Sequence, residues 1–484
     1  MAAAVGIDIG TSNIKVVRVR QGVSTMLLNR PTPTRLDELL AVVFAGIGRA
    51  TAEGPVDAVG IASMAESGYP LDADGRALTP LLSWQDARDD TEIRALAARL
   101  GVDTLFEATG ARPGPKPSLA VWLWLRARQP GTFAAMHRWA GVADAVHLAL
   151  TGELRTDHTL AGRTLAYRLP AAGEPLAGGF DPDLLAEAGL TPDRLPRVGL
   201  PGETPAQAAG VTAGLGLRPG TPVVVAGHDH QVAAWAAGVR TAGQVADSVG
   251  TAEALLNLVG RVPDRPAVRA QGMSVVRAID GTTEALLAGT GTAGGFLQWL
   301  ADRHTDGDVA RLLGTVGSPT AMNALAEDSW LLPYPAGRQC PEPDPDARVR
   351  LIGPPPAQLG VAGLEAVGYQ AQWVLDTQSA LTGRRPQRLS LSGRPLHRTP
   401  LWARIKATLA GTPAALTIAP EPVATGAALL ALHRAGLGGE LPLPDERVEP
   451  LEGLRGRYEK RLLAFIASAR APVTTAVPRG TGVL

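Results

Sequence analysis

The run Asp8-Ile9-Gly10-Thr11-Ser12-Asn13, followed closely by Lys15, sets a carboxylate, a glycine, two hydroxyls and a primary amine within eight positions. Glycine lets the backbone approach an anion closely, hydroxyls and successive amides can point into a turn, and lysine adds a compact positive charge. A phosphate fits such a turn. Asp8, closing an apolar run, suits a hydrated Mg2+ held through a carboxylate and phosphate oxygens. The plainer alternative is a hairpin turn whose Asp and Thr satisfy local backbone donors. Asp247-Ser248-Val249-Gly250-Thr251-Ala252 repeats the pattern in the second half of the chain. One such turn is weak evidence, but two could grip a polyphosphate from both sides.

A different chemistry is carried by Gly227-His228-Asp229-His230-Gln231. A carboxylate between a short strand and a helix is held stiffly, and the helix dipole favours its ionised form, which suits a general base. The alternative is that Asp229 only caps the helix. A bare His-Asp-His lacks the spacing and further ligands of a zinc centre, so the histidines are not read as metal ligands. Ser63 to Gly68, containing Glu66, and Trp84 to Arg88 are polar sets beside an indole. Such mixtures suit polyhydroxylated ligands, the indole covering C–H faces while charged groups bond hydroxyls. Two ordinary surface loops would look the same.

The elements around these residues alternate. Ala4–Ile9 and Ile14–Arg20 read as a β-hairpin, and Asp57–Ala62 and Pro222–Ala226 as short apolar strands leading into polar loops. Leu119–Arg128 and His230–Val239 carry helical patterning. After a seam near Val239–Ala246 the grammar restarts with strand Gln244–Val249. It continues through Leu286–Ala288, helix Gly294–Leu300, the long helix Gly363–Thr382, strand Arg388–Leu391 and helix Ala424–Arg434. This is α/β patterning in two similar halves, predicting two lobes with a cleft. Boundaries are expected at 1–242, 243–440 and 441–484, the last a helix and a frayed tail from Ala471.

Composition narrows the function. At 484 residues the chain exceeds one compact core. Its 46 basic and 46 acidic side chains cancel, leaving no whole-molecule field to hold a nucleic acid. A single cysteine, Cys340, excludes a disulfide framework. No apolar run approaches the ~18–20 residues of a membrane span and the first residues lack a signal-peptide layout, so a cytoplasmic protein is expected. Basic residues are nearly all arginine; Lys15, Lys116, Lys406 and Lys460 are the lysines, and each stands out for that reason.

Taken in order, these motifs resemble the FGGY family of carbohydrate kinases, within the actin-like and hexokinase-like (ribonuclease H-like) ATPases. The likeness runs from Gly6 to about Arg434. It covers Gly6 to Ser12, Trp84 to Arg88, Lys116 before Trp122-Leu123-Trp124-Leu125, and Leu150 to Glu153 with Asp157. It continues through Pro222 to Asp229, Asp247 to Thr251, Pro333-Tyr334 with Asp344 to Arg348, and Glu421 with Gly426 to Leu429. The resemblance implies that Gly10, Thr11, Ser12 and Lys15 meet the phosphates of ATP, that Asp8 organises Mg2+, and that Gly250 and Thr251 form the second phosphate turn. It implies Gly294 and Gly295 near the nucleotide and Ser392 and Gly393 near the adenine. Asp229 is similar in place to the family's base, and Glu66, Trp84 and His230 sit where family members contact the sugar.

Two stretches depart from the family pattern. Leu391-Ser392-Gly393-Arg394-Pro395 keeps one glycine of the adenine loop, and Gly337-Arg338-Gln339 lacks the usual acid. Substrate cues conflict: Met64-Ala65-Glu66 replaces the Met-His pair of xylulose kinases, Glu66 resembles polyol kinases, and Gly227-His228-Asp229 resembles kinases of deoxy-ketohexoses. The expected acceptor is a ketose, pentulose slightly ahead, or a polyol, phosphorylated on a primary hydroxyl. Homodimers are common in the family. The alternatives are a catalytically weak or inactive sugar- or nucleotide-sensing protein on this scaffold, and a chaperone- or actin-like ATPase.

Overall fold

The computed structural model describes residues 2–314, 316, 325, 328–419, 421–439 and 442–472. The tail expected from Ala471 lies outside the described residues beyond 472. The chain forms two compact units: the first holds the residues through Arg240 with Val275–Ala285 and Ala419–Leu443, the second Thr241–Ser274, Leu286–Ile418 and the residues from Pro444. The division differs from a sequential one. Helix Pro422–Arg434, read from sequence with the second lobe, belongs to the first unit.

In the first unit, strands β1 (Ala3–Ile9), β2 (Asn13–Arg20), β3 (Val23–Pro31), β4 (Ala58–Ser63), β5 (Ala206–Gln207) and β6 (Pro222–His228) form a sheet in the order β3-β2-β1-β4-β6-β5. The β1–β2 pair is the expected hairpin, antiparallel from Ala3↔Arg20 to Ile9↔Ile14, and β4 runs parallel to β1. Val5, Ile7 and Ile9 meet Val43 and Ile47 of helix Leu36–Ala52 in one apolar cluster. The other face takes helix Pro422–Arg434 at very close range. A Cβ on Gly6 would lie 1.8 Å from the Ala424 carbonyl oxygen, and one on Gly60 1.9 Å from that of Ala427. The missing side chains on β1 and β4 therefore decide where this helix packs.

In the second unit, β7 (Gln244–Val249) and β8 (Glu253–Gly260) form a second hairpin, with Val249 opposite Glu253. Strand β9 (Arg388–Ser392) runs parallel to β7, and β10 (Ala414–Thr417) parallel to β9. Helices Leu359–Thr382 and Pro400–Ala410 belong to the same unit. No helix among the described residues is long and apolar enough to cross a membrane.

Candidate active site

The first hairpin turn is closed by its own backbone and braced from β3. Gly10 N donates to Asn13 O at 3.0 Å, and Thr32 donates through Oγ1 to Gly10 O at 2.7 Å and through N to Ser12 O at 3.0 Å. Asp8 and Lys15 face each other in the register. Lys15 Nζ lies 3.5 Å from Asp8 Oδ2 and 2.8 Å from Glu421 Oε2, at the start of helix Pro422–Arg434. The lysine expected at phosphate thus stands between two carboxylates. Burial pushes the Asp8 carboxyl up to about 7, with Lys15 pulling it down and Asp229 and Glu421 adding to the rise. Burial opposes the Lys15 charge, but Asp8 and Glu421 outweigh it and raise its pKa.

Asp229 is aimed by an irregularity at the end of β6. The pairing of β6 with β4 slips between Val225 and Gly227, and such bulges re-aim the residues that follow. Gly227 has φ +130°, and a Cβ there would lie 2.4 Å from Thr159 Oγ1 and 2.9 Å from Asp157 Oδ1. Those groups form the bed of the bend. Thr159 donates through N and Oγ1 to Asp157 Oδ1 and accepts from His228 N at 2.9 Å, while Arg434 Nη1 lies 3.0 Å from Asp157 Oδ2.

Helix Asp229–Ala236 is capped at His228, so Asp229 occupies its first turn rather than the cap position. Its Oδ1 accepts from His230 N at 2.6 Å and lies 3.2 Å from His228 Nε2 and 3.8 Å from His230 Nε2. Burial works against the Asp229 charge, but His230, His228, the His230 amide and Lys15 prevail and hold its pKa below the ordinary carboxylate value. His228, driven by burial to about 4, is neutral at physiological pH and acts there as a hydrogen-bonding neighbour. The three side chains bring possible ligand atoms within 4.8 Å of one another. Asp229 Oδ1 already accepts from the His230 amide and lies beside both imidazoles.

The two polar loops are tied to the first hairpin turn and to each other. Trp84 Nε1 donates to Thr11 Oγ1 at 3.0 Å, Trp84 N donates to Ser67 Oγ at 3.1 Å, and Lys116 Nζ stands 4.6 Å from the Trp84 ring centre. Glu66, beside Ser67, adopts φ +64° and accepts from Arg163 Nη2 at 2.7 Å. His230 is partly exposed.

The second unit gathers its own set. Gly250 N donates to Ala252 O at 2.9 Å, Gly294 N to Gly250 O at 3.0 Å and Gly295 N to Thr251 O at 2.8 Å. Ser392 pairs with Ser248 across β9 and β7, which puts Ser392-Gly393 beside the same turn. A cavity of about 790 Å3, lined by Gly294, Leu297, Arg394, Arg398 and Trp402, adjoins these residues. Beneath the turn, buried Lys406 donates to Asp247 Oδ2 at 2.7 Å and to Glu253 Oε1. Burial raises Glu253 well above its ordinary value despite Lys406, and the two acids carry Lys406 up to about 12 against the cost of burial.

Sequence reasoning gave Glu421 no role, did not single out Arg163, and marked Lys406 only as a rare lysine. The available signal was composition: a lysine kept in an arginine-rich chain. The Asp8 carboxylate, beside the Lys15 ammonium and the Gly10–Asn13 turn, offers the hard oxygen ligand that a Mg2+ ion carried with a nucleotide takes.

Residues 35–236 match the FGGY family of carbohydrate kinases, N-terminal domain, and residues 254–435 its C-terminal domain. Glycerol kinase of Alkalilimnicola ehrlichii is 28% identical over 411 residues, covering 80% of this chain and 77% of the relative. Xylulose kinase of Escherichia coli is 26% identical over 427 residues, 84% of each chain. Among solved structures, gluconate kinase from Lactobacillus acidophilus superposes with a TM-score of 0.83 at 19% identity, over 97% of this chain and 99% of that one. At that identity the likeness shows the fold alone, an α/β architecture in two units.

Proposed function

The chain belongs to the FGGY family of carbohydrate kinases, phosphotransferases that use ATP with Mg2+ and an alcohol acceptor, and on that premise we propose that Asp229 is the general base. The acceptor is a primary hydroxyl of a small ketose, a pentulose slightly ahead, or of a polyol. One observation carries the reading: Asp229, kept ionised, sits at a bulged strand end within electrostatic reach of Asp8 and Lys15 on the phosphate turn.

Phosphoryl transfer asks for positioning and charge neutralisation more than covalent chemistry. The contacts to Asp229 fall on Oδ1, which leaves Oδ2 to take the proton of the acceptor hydroxyl as its oxygen bonds to the γ-phosphorus and the bond to the β-phosphate oxygen breaks. His228 and His230 fix the carboxylate, and the bed of Asp157 and Thr159 fixes His228. Asp8 would hold the Mg2+, which neutralises phosphate charge when bound. Lys15, steadied by Glu421, and the amides of Thr11 and Ser12 face phosphate in the first unit, on a turn closed by the Gly10 amide. Thr251 does so in the second, on a turn that the amides of Gly250, Gly294 and Gly295 hold in shape through backbone carbonyls, with Ser392 and Gly393 toward the adenine.

The test is Asp229→Asn assayed against pentuloses, deoxy-ketohexoses and polyols. Asparagine keeps the acceptor for His230 N but cannot take a proton, so turnover should fall ~100- to 10,000-fold while stabilisation by ATP persists. Near-normal turnover of any acceptor on that panel removes the base assignment.

A further inference from the structure

We infer that Arg434 is a positioning residue for Asp229, at the end of a helix that straps the strands of the first sheet together. Its link to turnover rests on the reading of Asp229 as the base. Helix Pro422–Arg434 crosses the sheet in the order of its strands. Glu421, just before it, meets Lys15 on β2 at 2.8 Å. The Ala424 carbonyl then abuts Gly6 of β1, and the Ala427 carbonyl Gly60 of β4. At the far end Arg434 Nη1 donates to Val225 O on β6 at 3.0 Å. A Cβ at either glycine would overlap a helix carbonyl, so helix and strands are held at one spacing. The charged ends of this strap fall on the first hairpin and on the strand that delivers Asp229.

Arg434 holds the bend before Asp229 from both sides. Val225 is the last residue of β6 paired with β4 before the register slips, and a bulge disrupts the ladder there. The guanidinium supplies a donor at that point. The same nitrogen lies 3.0 Å from Asp157 Oδ2, while Asp157 Oδ1 carries Thr159, whose hydroxyl accepts from His228 N. His158 Nδ1 also stands 3.5 Å from Asp157 Oδ1, but Arg434 is the partner that is charged at every working pH. The Arg434 and Asp157 side chains are 13% and 1% exposed. A pair so buried pays a desolvation cost that apolar residues would avoid, so stability alone does not account for it. Its geometry does: one guanidinium fixes Val225 ahead of the bend and, through Asp157 and Thr159, His228 beyond it. Asp229 follows directly, with Oδ1 3.2 Å from His228 Nε2. A reacting group misplaced by ~1 Å costs on the order of 100-fold in rate.

The experiment makes Arg434→Gln and Arg434→Lys, each alone and combined with Asp229→Asn. It measures kcat and KM with the preferred acceptor, and the imidazole NMR signals of His228 and His230, assigned by substitution. Arg434→Gln should lower kcat ~10- to 100-fold while the KM for ATP changes less than ~3-fold. Arg434→Lys keeps the charge without the planar fork and should lose only ~3- to 10-fold; it decides the matter if the glutamine variant does not fold. In the Asp229→Asn background either change should lower the residual rate less than ~2-fold, because nothing is left to position. Losses that multiply, or a parent-like kcat in both single variants, overturn the inference. The imidazole signals separate it from the reading it rests on. If no acceptor is turned over, or Asp229→Asn keeps near-normal turnover, the kinase or base reading falls. Displaced His228 and His230 signals in the Arg434 variants then still uphold the positioning, and unmoved signals overturn it.

Discussion

Asp144, in the first turn of helix Val142–Thr151, is buried and accepts from Gly141 N at 2.8 Å. Burial pushes its carboxyl up to about 7, against the pull of Thr156 and the Gly141 amide and with a further push from Asp157. The unfolded chain releases this proton near the ordinary value of 3.8, while the folded protein keeps it to about 7. Between those values the native state binds more protons, so this residue's contribution to stability falls as pH rises and levels off above the folded value. Asp144→Asn retains the acceptor without the proton. Its unfolding free energy should decline less than the parent's from pH 4.5 to 7, by on the order of a few kcal/mol in denaturant titrations, and parallel pH curves for the two proteins would refute the assignment.

Secondary elements place the charged groups, and the second hairpin shows how. Lys406, from helix Pro400–Ala410, ties Asp247 on β7 to Glu253 on β8, the residues flanking the Gly250–Thr251 turn. Removing the ammonium leaves a buried carboxylate unpaired. Lys406→Met should therefore cost about 3–5 kcal/mol in denaturant unfolding. It should also raise the KM for ATP more than it lowers kcat, because the turn loses its anchor. Adding Asp247→Asn should restore part of the stability, and an unchanged midpoint for the single variant would show the triad to be inert.

Much of this was legible in the chain. The hairpins follow from small-residue turns between apolar runs, and the strands before Glu66 and Asp229 from short apolar blocks closed by polar loops. Pairings made by folding were not. Nothing local tells Lys15 that Glu421 will meet it, or Glu66 that Arg163 will hold it. The sequence signal over Ala424–Arg434 does not say which sheet the helix Pro422–Arg434 covers, because its alanine-rich pattern fits any sheet face. What selects β1 and β4 is the absence of a side chain at Gly6 and Gly60, hundreds of positions upstream.

At the scale of the whole molecule, the first unit is built from three separate stretches of chain. Its last stretch supplies the buried Ala424, Ala427, Ala428 and Leu430, together with Glu421 for Lys15 and Arg434 for Asp157. A chain ending at Ile418 would lose all of these. The loss should exceed the ~5–15 kcal/mol that keeps a domain folded, giving a protein that binds ANS and melts without a cooperative transition. A parent-like Tm for that truncation would contradict the packing described.

The same threading governs birth at the ribosome. By the time Arg240 emerges, the β1–β4 face is made but its covering helix is not, and at ~5–20 residues per second the wait until Pro422 is roughly 10–40 s. For that interval a nascent sheet with bare glycines at Gly6 and Gly60 waits for its cover, exposing apolar surface that the finished protein buries.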